Sequence, residues 1–285
     1  MKAITLTADH RLALRDLPDP RPAPDQVLLA IRAAGVDDDL PEAADVPDPG
    51  ADGVPGPEAG GVPGHEIAGV VVARGPEVTD FVVGDEVYAW ADGAYAERVA
   101  VPSLLAAHKP AGLTFVEAAA VPRAAVTALQ ALRAAGTGEG DVVLVHDAAG
   151  GVGHFAVQIA RALGAERVMG TGDGDFLKEL GAEPVDGSPA DVAVDFSGGE
   201  TTAAVLREVR DPARAVSTVN PAIAAAGGRY VVPSPSAADL RWLAELADRG
   251  RLRVALHREL PLAEAADAHR LLSAGGVRGK LVLTP

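Results

Sequence analysis

The stretch Asp141-Val142-Val143-Leu144-Val145-His146-Asp147-Ala148-Ala149-Gly150-Gly151-Val152-Gly153 decides the fold. Its first half is a short apolar run of buried-strand type, and a glycine turn follows at once. Beyond the turn, Val152, Phe155, Ile159 and Leu163 recur at helical spacing on one face. Gly164-Ala165 ends that helix, and Arg167-Val168-Met169-Gly170 reads as the next strand. Strand, turn, helix and strand form one βαβ unit, which predicts a parallel, doubly wound sheet. Residues 148–153 fit the spacing G-x-G-x-x-G with alanine in the first position. In that pattern Gly150 lets the backbone approach a pyrophosphate, and Gly153 lets the helix pack closely on the strand. The helix N-terminus then offers N–H groups and the positive end of its dipole to the phosphates. The turn therefore predicts a dinucleotide site built from Ala149, Gly150, Gly151, Val152 and Gly153.

The second strand runs into Gly170-Thr171-Gly172-Asp173-Gly174-Asp175. An acid there accepts hydrogen bonds from a ribose 2′-OH and repels a 2′-phosphate. No Lys or Arg occurs between this strand and Lys178, so local charge favours NADH over NADPH, with Thr171 and Asp173 as candidate contacts. The alternative is that both aspartates face water in a loop.

Working outward, Asp191 to Phe196, Ala215 to Val219 and Arg229 to Val232 read as further strands. Thr201 to Val209 and Ala237 to Arg249 read as helices between and after them. Upstream, Thr114 with Glu117 forms a capping-box pattern before a helix over Phe115 to Ala120, and a second helix spans Arg123 to Ala135. The first third is strand-like, with Gln26 to Ile31, Ile67 to Val72 and Asp85 to Ala89 separated by Gly and Pro. Asp45 to Pro63, rich in Pro, Gly, Asp and Glu, predicts a long exposed loop. The tail holds a helix, Leu262 to Ser273, and a last strand, Lys280 to Leu283.

Composition narrows the function classes. The 285 residues carry a net charge of -15, which argues against nucleic acid or anionic membrane as partners. With no cysteine there are no disulfides, thiolate nucleophiles or cysteine-based metal sites. No run approaches the roughly 18 apolar residues of a membrane span, and the first residues, Met1 to Thr7, read as a strand rather than a leader. A cytoplasmic location is the expectation.

Beyond these local readings the chain resembles the medium-chain dehydrogenase/reductase superfamily, in its zinc-independent quinone oxidoreductase and enoyl reductase-like branch. The resemblance is carried by Pro63-Gly64-His65-Glu66-Ile67-Ala68-Gly69-Val70-Val71, by Phe81 to Val87 and by Gly93-Ala94-Tyr95-Ala96-Glu97. It continues through Thr127-Ala128-Leu129, the glycine turn, Phe176 to Ala182, Asp195-Phe196-Ser197-Gly198-Gly199, Ala268 to Leu272 and Gly279-Lys280-Leu281-Val282-Leu283. It implies a GroES-like β domain made by both chain ends, residues 1–116 and 250–285, with a Rossmann domain over 117–249 inserted between them. It further implies a cleft between the domains for nicotinamide and substrate, and a homodimer paired near Arg229 to Val232. The implied chemistry is reduction of a quinone, or of an alkene conjugated to a carbonyl, by NADPH.

By the same resemblance Thr127, Ser197, Gly198 and Lys280 join the cofactor contacts. Several positions depart from the family pattern. The basic residue that follows the second strand is absent, and Glu183-Pro184-Val185-Asp186-Gly187 stands where a tyrosine is common. Gly275 stands where some members carry an arginine, and Asp147 adds a negative charge beside the turn. Asp37, where asparagine is frequent, is a candidate proton donor if burial raises its pKa. The candidate donors to a developing enolate oxygen are Thr127, then Tyr88 and Tyr95, whose alternative roles are an internal helix hydrogen bond and packing. The other histidines, His10, His108, His146, His154, His257 and His269, show no partner pattern at catalytic spacing.

Zinc-dependent relatives place ligands in the segments of Asp37 and His65, but the third ligand position falls on Arg123, and a guanidinium is no ligand. The expectation is no metal. Two rival expectations stay open: the same fold recruited for cyclisation or isomerisation, or a nucleotide-binding protein without catalysis.

Overall fold

The computed structural model describes residues 1–7, 11–37 and 61–285. His10, Asp38, Asp39 and residues 45–60 of the loop predicted over Asp45 to Pro63 lie outside the described residues. The chain divides into two compact units. One comprises Met1–Arg123, Pro235–Ala244 and Leu256–Pro285, the other Ala124–Ser234 and Glu245–Ala255.

In the first unit β1 (Lys2–Leu6) and β2 (Leu12–Asp16) form an antiparallel pair. The main sheet is built on β3 (Gln26–Val36), β4 (Glu66–Arg74), β5 (Glu86–Trp90), β6 (Arg98–Pro102) and β7 (Ala106–His108). It also takes β14 (Leu256–Pro261) and β15 (Lys280–Thr284), so both ends of the chain build it. Its order is β14-β15-β3-β4-β5-β7, with β6 also on β3. Alternation drives this: Val27, Leu29, Ile31, Ile67, Val71, Val87, Leu281 and Leu283 turn inward to one core. Each such side chain contributes roughly 1.5–3 kcal/mol on full burial.

The domain boundary differs from the expected 116/117. Helix α1 (Phe115–Ala119), closed by the Thr114–Glu117 capping box, packs on β3, β4 and β15. It therefore belongs with the first unit, and the division comes inside α2 (Pro122–Ala134).

The second unit is a six-stranded, all-parallel sheet. Its strands are β8 (Val142–His146), β9 (Arg167–Gly170), β10 (Glu183–Pro184), β11 (Val192–Asp195), β12 (Ala215–Ser217) and β13 (Arg229–Tyr230). The connecting helices are α3 (Gly153–Ala162), α4 (Gly174–Leu180) and α5 (Glu200–Glu208). The strand order is β10-β9-β8-β11-β12-β13. Counted from its own first strand this is 3-2-1-4-5-6, whose order reverses at β8. Near-continuous apolar strands suit a sheet covered on both faces, and Val143, Leu144, Val145, Val192, Ala193 and Val194 are fully buried.

Helix α6 (Ala237–Asp248) and α7 (Ala265–Ala274) complete the chain. The expected last strand to Val232 stops at Tyr230, because Pro233 and Pro235 follow and cannot donate to a ladder.

Candidate functional site

In an open parallel sheet, ligands bind beyond the carboxyl ends of the strands where the order reverses. The second unit places its candidate residues there. β8 ends at His146 and runs into the glycine turn, and β9 ends at Gly170 before Thr171 and Asp173. β11 ends at Asp195 before Ser197 and Gly198.

The turn is held by specific bonds. The Asp147 N–H donates to Thr171 Oγ1 at 2.9 Å, and the Ala148 N–H donates to the Thr171 carbonyl at 3.0 Å. Thr171 thus positions the turn. Gly153 is demanded by closeness, since a Cβ there would lie 2.7 Å from the Ala148 Cα. A Cβ at Gly172 would likewise lie 2.9 Å from the Ala149 Cβ. Val152 caps α3 without a side-chain hydrogen bond, and the His154 N–H donates to the Gly150 carbonyl at 3.2 Å. Thr127 lies buried on α2.

Asp173 caps α4, its Oδ1 accepting from the N–H groups of Asp175 at 3.2 Å and Phe176 at 3.0 Å. One oxygen of the acid proposed for the ribose is thereby spent on the helix, a role that the Asp-to-Gly181 spacing signals in the sequence.

Sequence reasoning missed the role of Asp195. It is fully buried and accepts from Ser197 N–H (3.1 Å), Gly198 N–H (3.0 Å), Thr201 Oγ1 (2.9 Å), Thr202 Oγ1 (2.7 Å) and Ser217 Oγ (3.1 Å). Burial pushes its carboxyl up, but the hydroxyl and amide donors outweigh that and hold it below its ordinary value. The network fixes the loop carrying Ser197 and Gly198. Its signal was the cluster of Ser and Thr around a buried Asp.

The first unit gathers a second polar group. Arg123 Nη1 sits 2.8 Å from Asp37 Oδ2, and His65 Nδ1 is 3.9 Å from Asp37 Oδ1. On its other edge His65 Nε2 is 3.5 Å from Asp92 Oδ1. The Arg123 guanidinium also lies over the Trp90 ring at 5.9 Å. Burial raises the Asp37 carboxyl, but the facing imidazole and the charges of Arg123 and Lys280 outweigh it and hold it well below the usual carboxylate range. The condition set for Asp37 as a proton donor, a pKa raised by burial, is not met. The Asp37 carboxylate in turn raises His65 above its ordinary value, against burial and with help from Asp92 and Glu66.

The two candidate tyrosines have different partners. Tyr88 is fully buried and its hydroxyl donates to the Leu240 carbonyl, which is a packing role. Tyr95 instead hydrogen-bonds His269 Nε2 at 3.1 Å, and burial followed by the charges of Asp37 and Glu66 drives its pKa well up. Lys280 is buried against fully buried Glu66, the two in direct contact, and Glu66 Oε2 also accepts the Arg123 N–H at 2.9 Å. The ammonium of Lys280 is thus engaged by a buried carboxylate of its own unit. His146 pairs with Glu208 at 3.0 Å.

The residues do not fit a zinc ion. The described residues hold no group of three or more His, Asp or Glu able to bind one, and a guanidinium already neutralises Asp37. The glycine turn does fit a dinucleotide, since its small residues leave no side chain beyond Cβ at Ala148, Ala149, Gly150, Gly151 or Gly153. Among the described residues no helix is long and apolar enough to cross a membrane.

Comparison with known proteins adds to this geometry. Residues 163–283 match the family model for zinc-binding dehydrogenase, and residues 23–131 match that for the alcohol dehydrogenase GroES-like domain. The chain is 33% identical over 243 residues to 2-methylene-furan-3-one reductase of Solanum lycopersicum, covering 76% of this chain and 61% of that protein. It spans less than two thirds of the length of the first curated relatives that it matches. The solved quinone oxidoreductase of Coxiella burnetii superposes with a TM-score of 0.84 at 30% identity, covering 100% of this chain and 99% of that one. A mycobacterial protein solved in complex with NADPH superposes with a TM-score of 0.82 at 28% identity, covering 100% of both chains. With two family models and a near full-length 30% identical structure in agreement, the chain belongs to the medium-chain dehydrogenase/reductase family of oxidoreductases, in its quinone oxidoreductase-like branch.

Proposed function

We propose that this protein is an NAD(P)H-dependent oxidoreductase that reduces a quinone or an alkene conjugated to a carbonyl, without a catalytic metal. The observation that carries the reading is the glycine turn at the carboxyl end of β8, where the 3-2-1-4-5-6 order reverses. The relative from Solanum lycopersicum supports the enone class, since its named substrate carries a methylene conjugated to a ketone.

The dinucleotide, when bound, supplies a hydride. The chain's own residues position it. Backbone groups of residues 148–153 take the pyrophosphate, Thr171 holds the turn in place, and Ser197 and Gly198, braced by Asp195, line the end of β11. Thr127 completes this set. Metal-free operation rests on the donor set at Asp37, where Arg123 stands in the third position. A homodimer in a cytoplasmic setting is the companion proposal.

The test is loss of absorbance at 340 nm when purified, chelator-treated protein meets NADH or NADPH with a quinone and with an enone. Turnover that survives chelation supports the reading. Turnover restored only by added zinc overturns its metal-free part, and no turnover with either acceptor class overturns the reductase.

A further inference from the structure

Among the described residues Asp147 is the only non-glycine with positive φ, at 57°. Its backbone is pinned there, with the N–H on Thr171 Oγ1 at 2.9 Å and the carbonyl accepting the Gly150 N–H at 3.0 Å. Asp and Asn visit this left-handed region more readily than other side chains, which explains how the position is tolerated. The consequence lies in the side chain. The carboxylate folds over Gly150, so that a Cβ built on that glycine would lie 2.7 Å from Asp147 Cγ and 2.8 Å from its Oδ1. This glycine's missing side chain is the clearance through which a pyrophosphate approaches the backbone. Here a carboxylate of the chain's own borders it.

We infer that Asp147 is an affinity-setting residue of the dinucleotide site: its carboxylate stands in the phosphate approach and opposes the pyrophosphate of the incoming ligand. The inference rests on the dinucleotide reading of the turn. It also makes a claim that the acid at Asp173 does not. Asp173 sits at the end of β9, where NADH and NADPH differ, whereas Asp147 acts on the pyrophosphate that both share. Asp147 therefore lowers affinity for both nucleotides by the same factor and leaves their ratio alone.

The experiment is calorimetric titration of the full chain with ADP-ribose, NADH and NADPH, and with adenosine as a ligand lacking phosphate. Asp147→Asn removes the charge and keeps the shape, and Asp147→Gly removes both while suiting the positive φ. Both variants are expected to bind ADP-ribose about tenfold more tightly than the unsubstituted protein, the size of one partly screened unit-charge repulsion. NADH and NADPH tighten equally, adenosine is unchanged, and the gain shrinks at about 1 M salt, where screening acts within roughly 3 Å. Unchanged or weaker ADP-ribose binding in both variants, with the thermal melt preserved, overturns the inference and leaves the site intact. Absence of binding by every form of the protein, including the unsubstituted one, overturns the dinucleotide reading itself and the inference with it.

Discussion

Removing Lys280 tests whether that cation serves the fold or a ligand. It lies 4% exposed on β15 against Glu66 on β4, itself 0% exposed, and the pair is bound across 214 residues of sequence. Glu66 has a second partner in the Arg123 N–H at 2.9 Å. Lys280→Met removes the cation in direct contact with a fully buried carboxylate, a loss of about 3–5 kcal/mol. For a chain of this size that corresponds to a fall in Tm on the order of 10 °C. Glu66→Met alone strands the ammonium and costs a similar amount. The pair Glu66→Met with Lys280→Met buries two apolar chains of similar volume, and recovers most of the loss, because neither charge is then desolvated. Urea unfolding of the four proteins supplies the double-mutant cycle, with nucleotide affinity measured alongside. The reasoning is refuted if the double substitution is as unstable as the sum of the singles. It is equally refuted if Lys280→Met keeps full stability and loses nucleotide binding, which would make Lys280 a ligand contact.

Two further predictions concern the Asp37 centre and a third the α4 cap. Arg123→His converts Asp37, His65 and residue 123 into a three-ligand set, so the variant is expected to bind one Co(II) per chain with tetrahedral d–d absorption while the unsubstituted protein shows none. Identical spectra for both would show that Arg123 does not keep metal out. The Asp37–His65 pairing has a defined pH window: a lowered Asp37 stabilises the fold above its unfolded pKa of about 3.9, and a raised His65 does so below its unfolded pKa of about 6.5. The Tm advantage over Asp37→Asn should therefore be greatest near pH 5, fading as acid protonates Asp37 and as alkali discharges His65, and an advantage that grows above pH 8 would contradict it. Asp173→Ser is expected to raise NADPH affinity more than NADH affinity, and equal responses would show that this acid does not set the preference.

The parallel-sheet unit was legible because its signals are local. An apolar run, a glycine turn and a 3.6-residue period occur within 25 residues around Gly150, and the turn's own strand and helix follow from them. Helix α4 was readable too, from Asp173 as cap and Gly181 in the left-handed conformation, but at seven residues its period is too short to stand out. β14 carried no signal: Leu256, His257, Arg258 and Glu259 are exposed on an edge strand, so no alternation marks it. The helix expected over Leu262 to Ser273 opens instead as a 3-10 turn, Leu262–Glu264, before α7.

The polar centres were legible only in part. Asp37, His65 and Arg123 drew attention through the family pattern, yet the charge state of Asp37 depends on a guanidinium 86 positions away. The Glu66–Lys280 pair joins opposite ends of the chain, and no local pattern encodes that meeting. Tyr88 and Tyr95 look alike in sequence, and only the placement of Leu240 and His269 separates the packed tyrosine from the one near Asp37.

The central claim is hydride transfer at a dinucleotide held by the glycine turn. Its most direct test is a single turnover with NADPH or NADH deuterated at the nicotinamide C4, using an enone as acceptor. The expected result is a saturated product carrying one deuterium on the β-carbon, and loss of that transfer in Gly153→Val, whose side chain the 2.7 Å approach to Ala148 cannot admit. A product free of cofactor deuterium, or undiminished transfer by Gly153→Val, would contradict it.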